Sequence, residues 1–261
     1  MNCKKYFSRA TFSPAYRQKK RRINHLLYQL HSSGVSQRRA AKILNVNPKT
    51  VVRHFRYLAE QARTGHQIWM SRYHKSPLQL IQFDDLETSE HSKCKPLSVT
   101  LAVDQNRRKI LGFRVSQMPA KGLLVKKALK KYGHRPDRRP EAWDSLMKYL
   151  QPYVCSDATW TSDENPHYPK YLRRYYPDAK HVQVKGGRGS ITGQGELKKL
   201  RYDPIFSLNH TCAMLRANLN RLFRKTWCTT KSVKGLVDHL SIYVHYHNRE
   251  LTKDSAPKGG S

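Results

Sequence analysis

The sequence predicts an α/β domain with a mixed β-sheet, preceded by a small all-α domain. Two observations predict this order. Short helical segments with recognisable caps occupy residues 22–63, and from Leu78 onward the apolar residues form short runs typical of strands, interspersed with helical stretches. At 261 residues, the chain is long enough for two such domains.

The charge of the chain indicates a polyanionic partner. Fifty Lys and Arg against 18 Asp and Glu give a formal net charge of +32, which a folded protein normally carries only when a polyanion neutralises it. Residues 1–75 hold 17 of these cations and one acid, Glu60. Nucleic acid is therefore the expected partner.

Other classes of protein fit the sequence less well. It contains no apolar stretch of eighteen residues and no secretory signal, so we expect no membrane association and a cytoplasmic, nucleoid-associated protein. The five cysteines form no CxxC pair, which argues against a disulfide framework and a closed zinc site.

Residues 22–63 have the punctuation of three short helices. Ser36 can cap one helix and Asn47 the next, with Pro48 at its first position, where a missing N–H costs nothing. A tight turn around Asn45 and Val46 joins the two helices. This pattern is typical of a helix-turn-helix DNA-binding domain.

The last of these helices has an apolar side and a basic side. Val51, Phe55 and Leu58 predict the buried side. Arg53 is the expected base reader on the other side, because arginine pairs bidentately with guanine. The alternative interpretation is a helical packing module with a solvated basic face. The predicted DNA-contacting residues are Lys49, Thr50, Arg53, Arg56 and Tyr57.

The remaining segments complete the predicted organisation. Residues 1–21 form a basic arm and residues 64–77 a linker. Residues 78–252 form the α/β domain, in which LQLIQFDD, LSVTLAV and KILGFRV predict three strands in a meander, and YVCSD and KHVQV two more. A glycine-rich loop at 185–199 precedes two late helices, and residues 253–261 form a tail.

Carboxylates follow two of these apolar runs. Asp84 and Asp85 end the first predicted strand, and Asp157 ends the fourth. Because ligand groups gather at strand ends in α/β sheets, two separate segments can bring acids together there. Paired acids suit a divalent cation. The alternative is that these residues cap turns, as most Asp residues do.

In its order of motifs, nearly the whole chain, about Cys3 to Asn248, resembles the DDE transposases of bacterial insertion sequences. The motifs are the helix-turn-helix, FDDLET, VDQNRRKILGFRV, CSDATW and LRANLNRLFRKTWCTTKS. The chain is most similar to the small group whose catalytic helix ends in RKT or RKS. The N-terminal CKKYFSRATFS resembles the last knuckle of the zinc ribbon with which such proteins often begin, so the arm is a possible remnant of that ribbon.

The resemblance implies a ribonuclease-H-like catalytic domain with two Mg²⁺ or Mn²⁺ ions, which cleaves double-stranded DNA at transposon ends and transfers strands. Asp84 would be the first acid and Asp157 the second. Strand transfer between two ends implies a homodimer or larger assembly. The alternatives are a catalytically inactive, transposase-derived DNA-binding protein and a metal-dependent nuclease of the same fold.

The third acid of that family has no equivalent here. Counting back from Arg216 places its position at Asn209 or His210. We expect His210 to act as the ligand, because a neutral imidazole can bind a divalent ion and a helix N-terminus keeps it neutral. Glu196 and Asn209 remain rivals, and Asp238 lies too late. The alternative is a helix-start residue that binds no metal.

Further basic residues are candidates for DNA contacts, with solvated helix faces and a disordered loop as the alternatives. Trp160 and Trp227 are candidates for stacking on bases, although packing is the commoner role of tryptophan. The basic candidates are Lys185, Arg188, Arg216, Arg221, Arg224, Lys225 and Lys231.

Overall fold

The computed structural model describes residues 8–185, 203–223 and 226–251. Its centre is a five-stranded sheet with the order β3-β2-β1-β4-β5. β1, β2 and β3 pair antiparallel, whereas β4 pairs parallel to β1 and β5 parallel to β4. The α/β class with a mixed sheet is thus confirmed. The strands are β1 Leu78–Ser89, β2 Pro96–Asp104, β3 Ile110–Gln117, β4 Val154–Asp163 and β5 Lys180–Val184.

Helices cover both faces of this sheet. They are α1 Asn24–Ser32, α2 Gln37–Ile43, α3 Pro48–Met70, α4 Leu124–Tyr132, α5 Arg139–Leu150, α6 Tyr168–Tyr175, α7 Phe206–Asn218 and α8 Val233–Tyr246. One face packs on α5, α6 and the end of α3, and the other packs on α7 and α8. Within the described ranges, no helix has the length and apolar character needed to cross a membrane.

The caps expected for α2 and α3 are present. The Ser36 hydroxyl accepts a hydrogen bond from the Arg39 N–H at 3.3 Å, and Asn47 Oδ1 accepts one from the Lys49 N–H at 2.8 Å. Asn45 takes a positive φ of 47° in the turn between the two helices. These contacts satisfy backbone N–H groups that a helix start leaves unpaired. Local sequence therefore determines where both helices begin.

The segment predicted as a linker, 64–77, begins as helix instead. α3 continues through it to Met70, and a short 3-10 helix follows at Ser71–His74. Trp69, Met70 and Tyr73 are buried in the core beneath the sheet. The mixed composition of this segment shows no helical period. The segment is helical because it packs on a sheet formed by later residues, which the local sequence does not show. A continuous helix therefore connects the N-terminal helices to the sheet.

The N-terminal helices also pack directly on α8. Arg63 on α3 forms a salt bridge with the buried Asp238 at 2.8 Å. The His239 side chain donates from Nε2 to the backbone oxygen of His31 at 2.8 Å, and the Tyr28 hydroxyl lies 2.8 Å from His245 Nδ1. Ile242 of α8 belongs to the same buried cluster as α1 and α3. This interface holds the N-terminal helices against α8.

Two buried histidines make this interface sensitive to acid. Burial lowers the pKa of His31 to about 4 and that of His239 to about 3. The unfolded chain therefore binds more protons than the folded chain between pH 6.5 and about 4, and the free energy of unfolding falls as the pH falls through that window.

We expect His239→Gln to flatten this pH dependence, since glutamine keeps an N–H donor but cannot titrate. Urea unfolding of the full chain at pH 7.5, 6 and 5 measures it. His25→Gln, at an exposed position, is the matched control. An unchanged slope in His239→Gln would contradict the assignment.

Candidate functional site

The prediction that Asp84 and Asp85 end the first strand is wrong, because β1 stays paired with β2 and continues to Ser89. Asp84 lies on the face of β1 that packs against α7. Side chains alternate along a strand, so Ile81 and Phe83 enter the core on one face while Gln82, Asp84 and Leu86 turn to the other. Burial and then the Asp84 carboxylate raise the pKa of the Cys212 thiol on α7 to about 12, which places Cys212 near Asp84. The first acid is thus covered by α7.

Asp163 lies level with Asp84 on the neighbouring strand. β1 and β4 are parallel, with Ile81 opposite Trp160 and Gln82 opposite Thr161. The pairing ends there, and Asp84 and Asp163 follow two residues later on their strands. They are near enough for the charge of Asp163 to contribute, after burial, to the raised pKa of Asp84. The two carboxylates therefore lie close to each other where β1 and β4 diverge.

The prediction that Asp157 ends the fourth strand is wrong. β4 continues to Asp163, and Asp157 is an exposed residue near its beginning. Asp157 precedes Asp163 by six positions, which correspond to about 20 Å of strand, so Asp157 is far from Asp84. The Ser-Asp pair after YVC resembles a strand end, but burial resumes at Ala158 and covers Trp160 to Ser162. The apolar Ala158 and Trp160 after the acid were the signal that sequence reasoning missed.

Tyr168 fixes Asp84 where β1 and β4 part. The strand pairing stops at Gln82 and Thr161. The buried Tyr168 hydroxyl donates to Asp84 Oδ1 at 2.9 Å and accepts from the Asp85 N–H at 3.1 Å. The Asp85 N–H also donates to Asp84 Oδ1 at 2.7 Å. No described residue hydrogen-bonds to Asp84 Oδ2, so that oxygen remains available as a ligand.

Repulsion between Asp84 and Asp163 is not balanced by a described cation. Burial, and next the charge of Asp163, raise the pKa of Asp84 to about 6. Among the residues the structure describes, no Lys, Arg or His forms an ion pair with either carboxylate. In a chain of net charge +32, two adjacent acids without such a partner form an unusual local site.

Asp85 has a different role from its neighbour. Its carboxylate turns to the opposite face, where Oδ1 accepts from the hydroxyls of Ser98 and Thr100, and Oδ2 accepts from Trp143 Nε1 at 3.0 Å. A half-buried carboxylate with several donors is already satisfied. Asp85 therefore stabilises the junction of β1, β2 and α5.

Gln82 holds the start of α7 against β1. Its amide donates from Nε2 to the Pro204 carbonyl oxygen at 2.9 Å, and its Oε1 accepts from the Leu208 N–H at 2.9 Å. Leu208, Cys212 and Leu215 face the sheet. These contacts fix the rotation of α7 about its own axis.

That rotation puts Asn209 and His210 on different flanks of α7. At 100° per residue, Asn209 turns to one side of the buried stripe, and Ser207 and His210 turn to the other. The Ser207 hydroxyl donates to the Gln105 carbonyl oxygen after β2 at 2.6 Å, so its flank faces the β2–β3 turn. Asn209 therefore lies on the flank toward β4, the strand that carries Asp163.

His210 is not brought to the carboxylates, contrary to the prediction. Burial, and next the Arg108 guanidinium of the β2–β3 turn, lower the pKa of His210. Within the described ranges, no three His, Cys, Asp or Glu side chains come together as a metal site. The predicted triad of Asp84, Asp157 and His210 is therefore absent. His210 was predicted because it is the metal-binding residue type nearest to the missing acid. Its flank of α7 is determined by packing, which the local sequence does not show.

Asn209, the alternative to His210 with a side-chain amide, is hydrogen-bonded to Asp203, an acid that the sequence analysis did not consider. Its Nδ2 donates to Asp203 Oδ2 at 2.9 Å. Asp203 Oδ1 accepts from the Ile205 N–H at 3.0 Å at the start of α7. This arrangement occupies the amide nitrogen and leaves Asn209 Oδ1 as a potential ligand oxygen. Glu196, the other rival, lies outside the described residues.

Basic residues line two clefts near the acidic pair. An open cleft of about 560 Å³ next to Asp163 is lined by Lys121 and Arg139, among others. Lys121 forms a salt bridge with Glu87, and Arg139 forms one with Asp137. A second cleft of about 610 Å³ shares Lys121 and reaches Arg216 on α7.

The predicted DNA-contacting residues vary in exposure. Lys49, Arg53 and Arg56 are exposed on one side of α3, and Thr50 and Tyr57 are half-buried there. Elsewhere, Lys185 and Lys231 are exposed, and Arg216 and Arg221 are half-buried. Arg188, Arg224 and Lys225 lie outside the described residues.

Comparisons with known proteins add no family. No protein-family model matches the chain, and no curated protein is similar enough to count as a relative.

The raised pKa of Asp84 predicts that this residue destabilises the metal-free fold. The folded chain holds the Asp84 proton more tightly than the unfolded chain, so the free energy of unfolding falls as the pH rises from about 4 to about 6 and stays low above that. We expect Asp84→Asn to raise the free energy of unfolding at pH 7 by up to about 3 kcal/mol, as two pKa units imply.

Urea unfolding in EDTA tests this expectation. The gain should vanish only well below pH 4, where the Asp84 carboxyl is protonated in both the folded and the unfolded chain. Asp157→Asn should show no comparable gain. Destabilisation by Asp84→Asn at pH 7 would contradict the unbalanced acidic pair.

Proposed function

We propose that the protein is a DNA transposase, which binds transposon ends and catalyses metal-dependent cleavage and strand transfer with Asp84 and Asp163. The observation that carries this proposal is the pairing of two carboxylates on adjacent parallel strands beneath α7. The strand order and orientations are compatible with a ribonuclease-H-like fold, and the resemblance in motif order supports the same activity. The second acid of the proposal is Asp163 in place of Asp157.

The donor set fits a divalent cation. Asp84 Oδ2, the Asp163 carboxylate and Asn209 Oδ1 are all oxygen donors, which Mg²⁺ and Mn²⁺ prefer. Burial and, next, repulsion by Asp163 raise the pKa of Asp84, and a divalent cation would relieve the repulsion. Asp84 and Asp163 would hold the metal directly, and Asn209 would complete the site with a weaker, neutral oxygen. Two bound ions would activate the attacking oxygen and stabilise the leaving oxygen.

The residues around the pair have supporting roles in this proposal. Tyr168 keeps Asp84 Oδ1 occupied, so that Oδ2 points to the ligand side. Lys121 and Arg139 would orient the scissile phosphodiester by binding its neighbouring phosphates. Water and then a 3′ hydroxyl serve as nucleophiles, so no covalent bond between protein and DNA forms. Each of these steps is positioning or electrostatic stabilisation.

The N-terminal helices would provide recognition of the transposon end as a helix-turn-helix domain. α3 presents the exposed Lys49, Arg53 and Arg56 on one side, and α2 contacts its other side. Arg53 would read a guanine in the major groove while the other two hold phosphates. Because strand transfer involves two transposon ends, and each end needs its own recognition domain, we propose a homodimer or larger assembly on double-stranded DNA.

A second candidate is a catalytically inactive, transposase-derived DNA-binding protein. The amide at Asn209 favours it, because a neutral oxygen binds a divalent cation more weakly than a carboxylate does. The two candidates differ in one measurable property, metal-dependent nicking of DNA.

Replacement of the second acid gives the direct test of the proposed activity. We expect Asp163→Ala to abolish Mn²⁺-dependent nicking of end-containing DNA while leaving DNA binding unchanged, since a ligand is lost but no basic residue is. Asp157→Ala, on the same strand, is the matched control and should nick normally. Loss of nicking in Asp157→Ala with retention in Asp163→Ala would refute the proposed site.

A second pair of variants separates the neighbouring residues of α7. We expect Asn209→Ala to reduce Mn²⁺-dependent nicking about tenfold or more, because it removes a ligand oxygen. Asn209→Asp should retain nicking and lower the Mn²⁺ concentration required. His210→Ala should have little effect, and the reverse pattern in nicking assays would return the role to His210.

A further inference from the structure

A separate cleft lies between the helical domain and the segment that joins α7 to α8. Its volume is about 530 Å³. α2 and the turn before it form one wall, and residues 220–223 and 227–231 contribute to the other. The described lining contains no acidic side chain. The charged and aromatic residues around it include Arg38, Arg39, Arg221, Phe223, Trp227 and Lys231.

Arg221 is a fixed cation in this cleft. Its guanidinium carbon lies 5.8 Å from the centroid of the Phe55 ring, and Nη1 donates to Thr230 Oγ1 at 3.3 Å. Burial lowers the pKa of Arg221, and the charge of Asp238 offsets part of this effect, but no carboxylate among the described residues forms an ion pair with its guanidinium. A half-buried arginine in such surroundings favours an anion, and its planar donors match a phosphate.

Trp227 provides an aromatic surface beside these cations. It is 77 % exposed, whereas Trp69, Trp143 and Trp160 are at most 8 % exposed. A stacking platform next to fixed positive charge is the usual means of binding unpaired nucleotides, because the base stacks on the ring while cations hold the backbone. Trp160 is a core residue, so Trp227 alone of the two candidates is placed for stacking.

We propose that this cleft holds one unstacked nucleotide of a single-stranded nucleic acid, with its base on Trp227 and its phosphate on Arg221. Arg38 and Lys231 would hold the neighbouring phosphates, and Asn220 and Gln37 offer hydrogen-bonding groups to the base edge. The volume lies in the range of small-ligand sites. Duplex DNA fits less well, because its bases stack on one another. The site goes beyond strand cleavage and needs no metal.

Binding of short oligonucleotides in EDTA tests this proposal, so a failure of metal-dependent cleavage does not affect the result. We expect single-stranded oligothymidylate or oligouridylate to quench the fluorescence of the exposed Trp227. The oligonucleotide that binds more tightly shows whether the natural ligand is single-stranded DNA or RNA. A blunt duplex should bind through general charge attraction without quenching. Equal quenching by the duplex would overturn the proposal.

Variants at the same position separate stacking from charge attraction. By fluorescence anisotropy of a labelled oligothymidylate, Trp227→Leu should bind about tenfold more weakly, and Trp227→Phe should bind nearly as well as the natural chain. Affinity for the duplex should change little in either variant. Unchanged single-strand binding by Trp227→Leu would refute the base platform.

A charge-matched pair tests the phosphate contacts. Arg38→Ala should weaken single-strand binding more than Arg173→Ala, which removes an equally exposed arginine from α6. Equal weakening by the two variants would show general charge attraction and overturn the proposed orientation of the nucleotide.

Discussion

The buried amide of Gln82 is the interaction on which the geometry of the candidate site depends. By bonding the Pro204 carbonyl and the Leu208 N–H, it fixes both the position of α7 along β1 and its rotation. Because Asp84 lies two residues beyond Gln82, the same contact determines which flank of α7 faces the acidic pair. It places Asn209 toward β4 and His210 toward the β2–β3 turn. A buried amide left without these partners would cost free energy, so the arrangement resists displacement.

Electrostatics explains why the acids stand out in this chain. Of its 18 acidic residues, Asp84, Asp85, Glu87, Asp163 and Glu164 lie at or next to one edge of the sheet. Asp85 is satisfied by neutral donors, and Glu87 pairs with Lys121, which leaves Asp84 and Asp163 to repel each other. The surrounding cations attract a polyanion. Asp84 and Asp163 favour a small cation, which would lie between these carboxylates and the polyanion. Such a combination suits chemistry on phosphodiesters.

Local signals in the sequence predicted part of this fold, and packing determined the rest. The caps at Ser36 and Asn47 and the strand meander are local, so they could be predicted. The position of Asp163 relative to Asp84 depends on the parallel register of β1 and β4, which are far apart in sequence. The side of α7 on which Asn209 lies depends on the rotation of that helix. Neither is encoded in a short motif. The burial of Trp69 and Met70 likewise depends on the sheet against which the end of α3 packs.

The proposed catalytic role depends on a divalent cation bound between Asp84 and Asp163. Crystals grown with Mn²⁺ and end DNA would locate that ion directly in an anomalous-difference map. We predict a Mn²⁺ peak within about 2.5 Å of a carboxylate oxygen of each residue, with Asn209 on the same side. A well-ordered map with Mn²⁺ beside Asp157 or His210, and none at the pair, would contradict the proposed site.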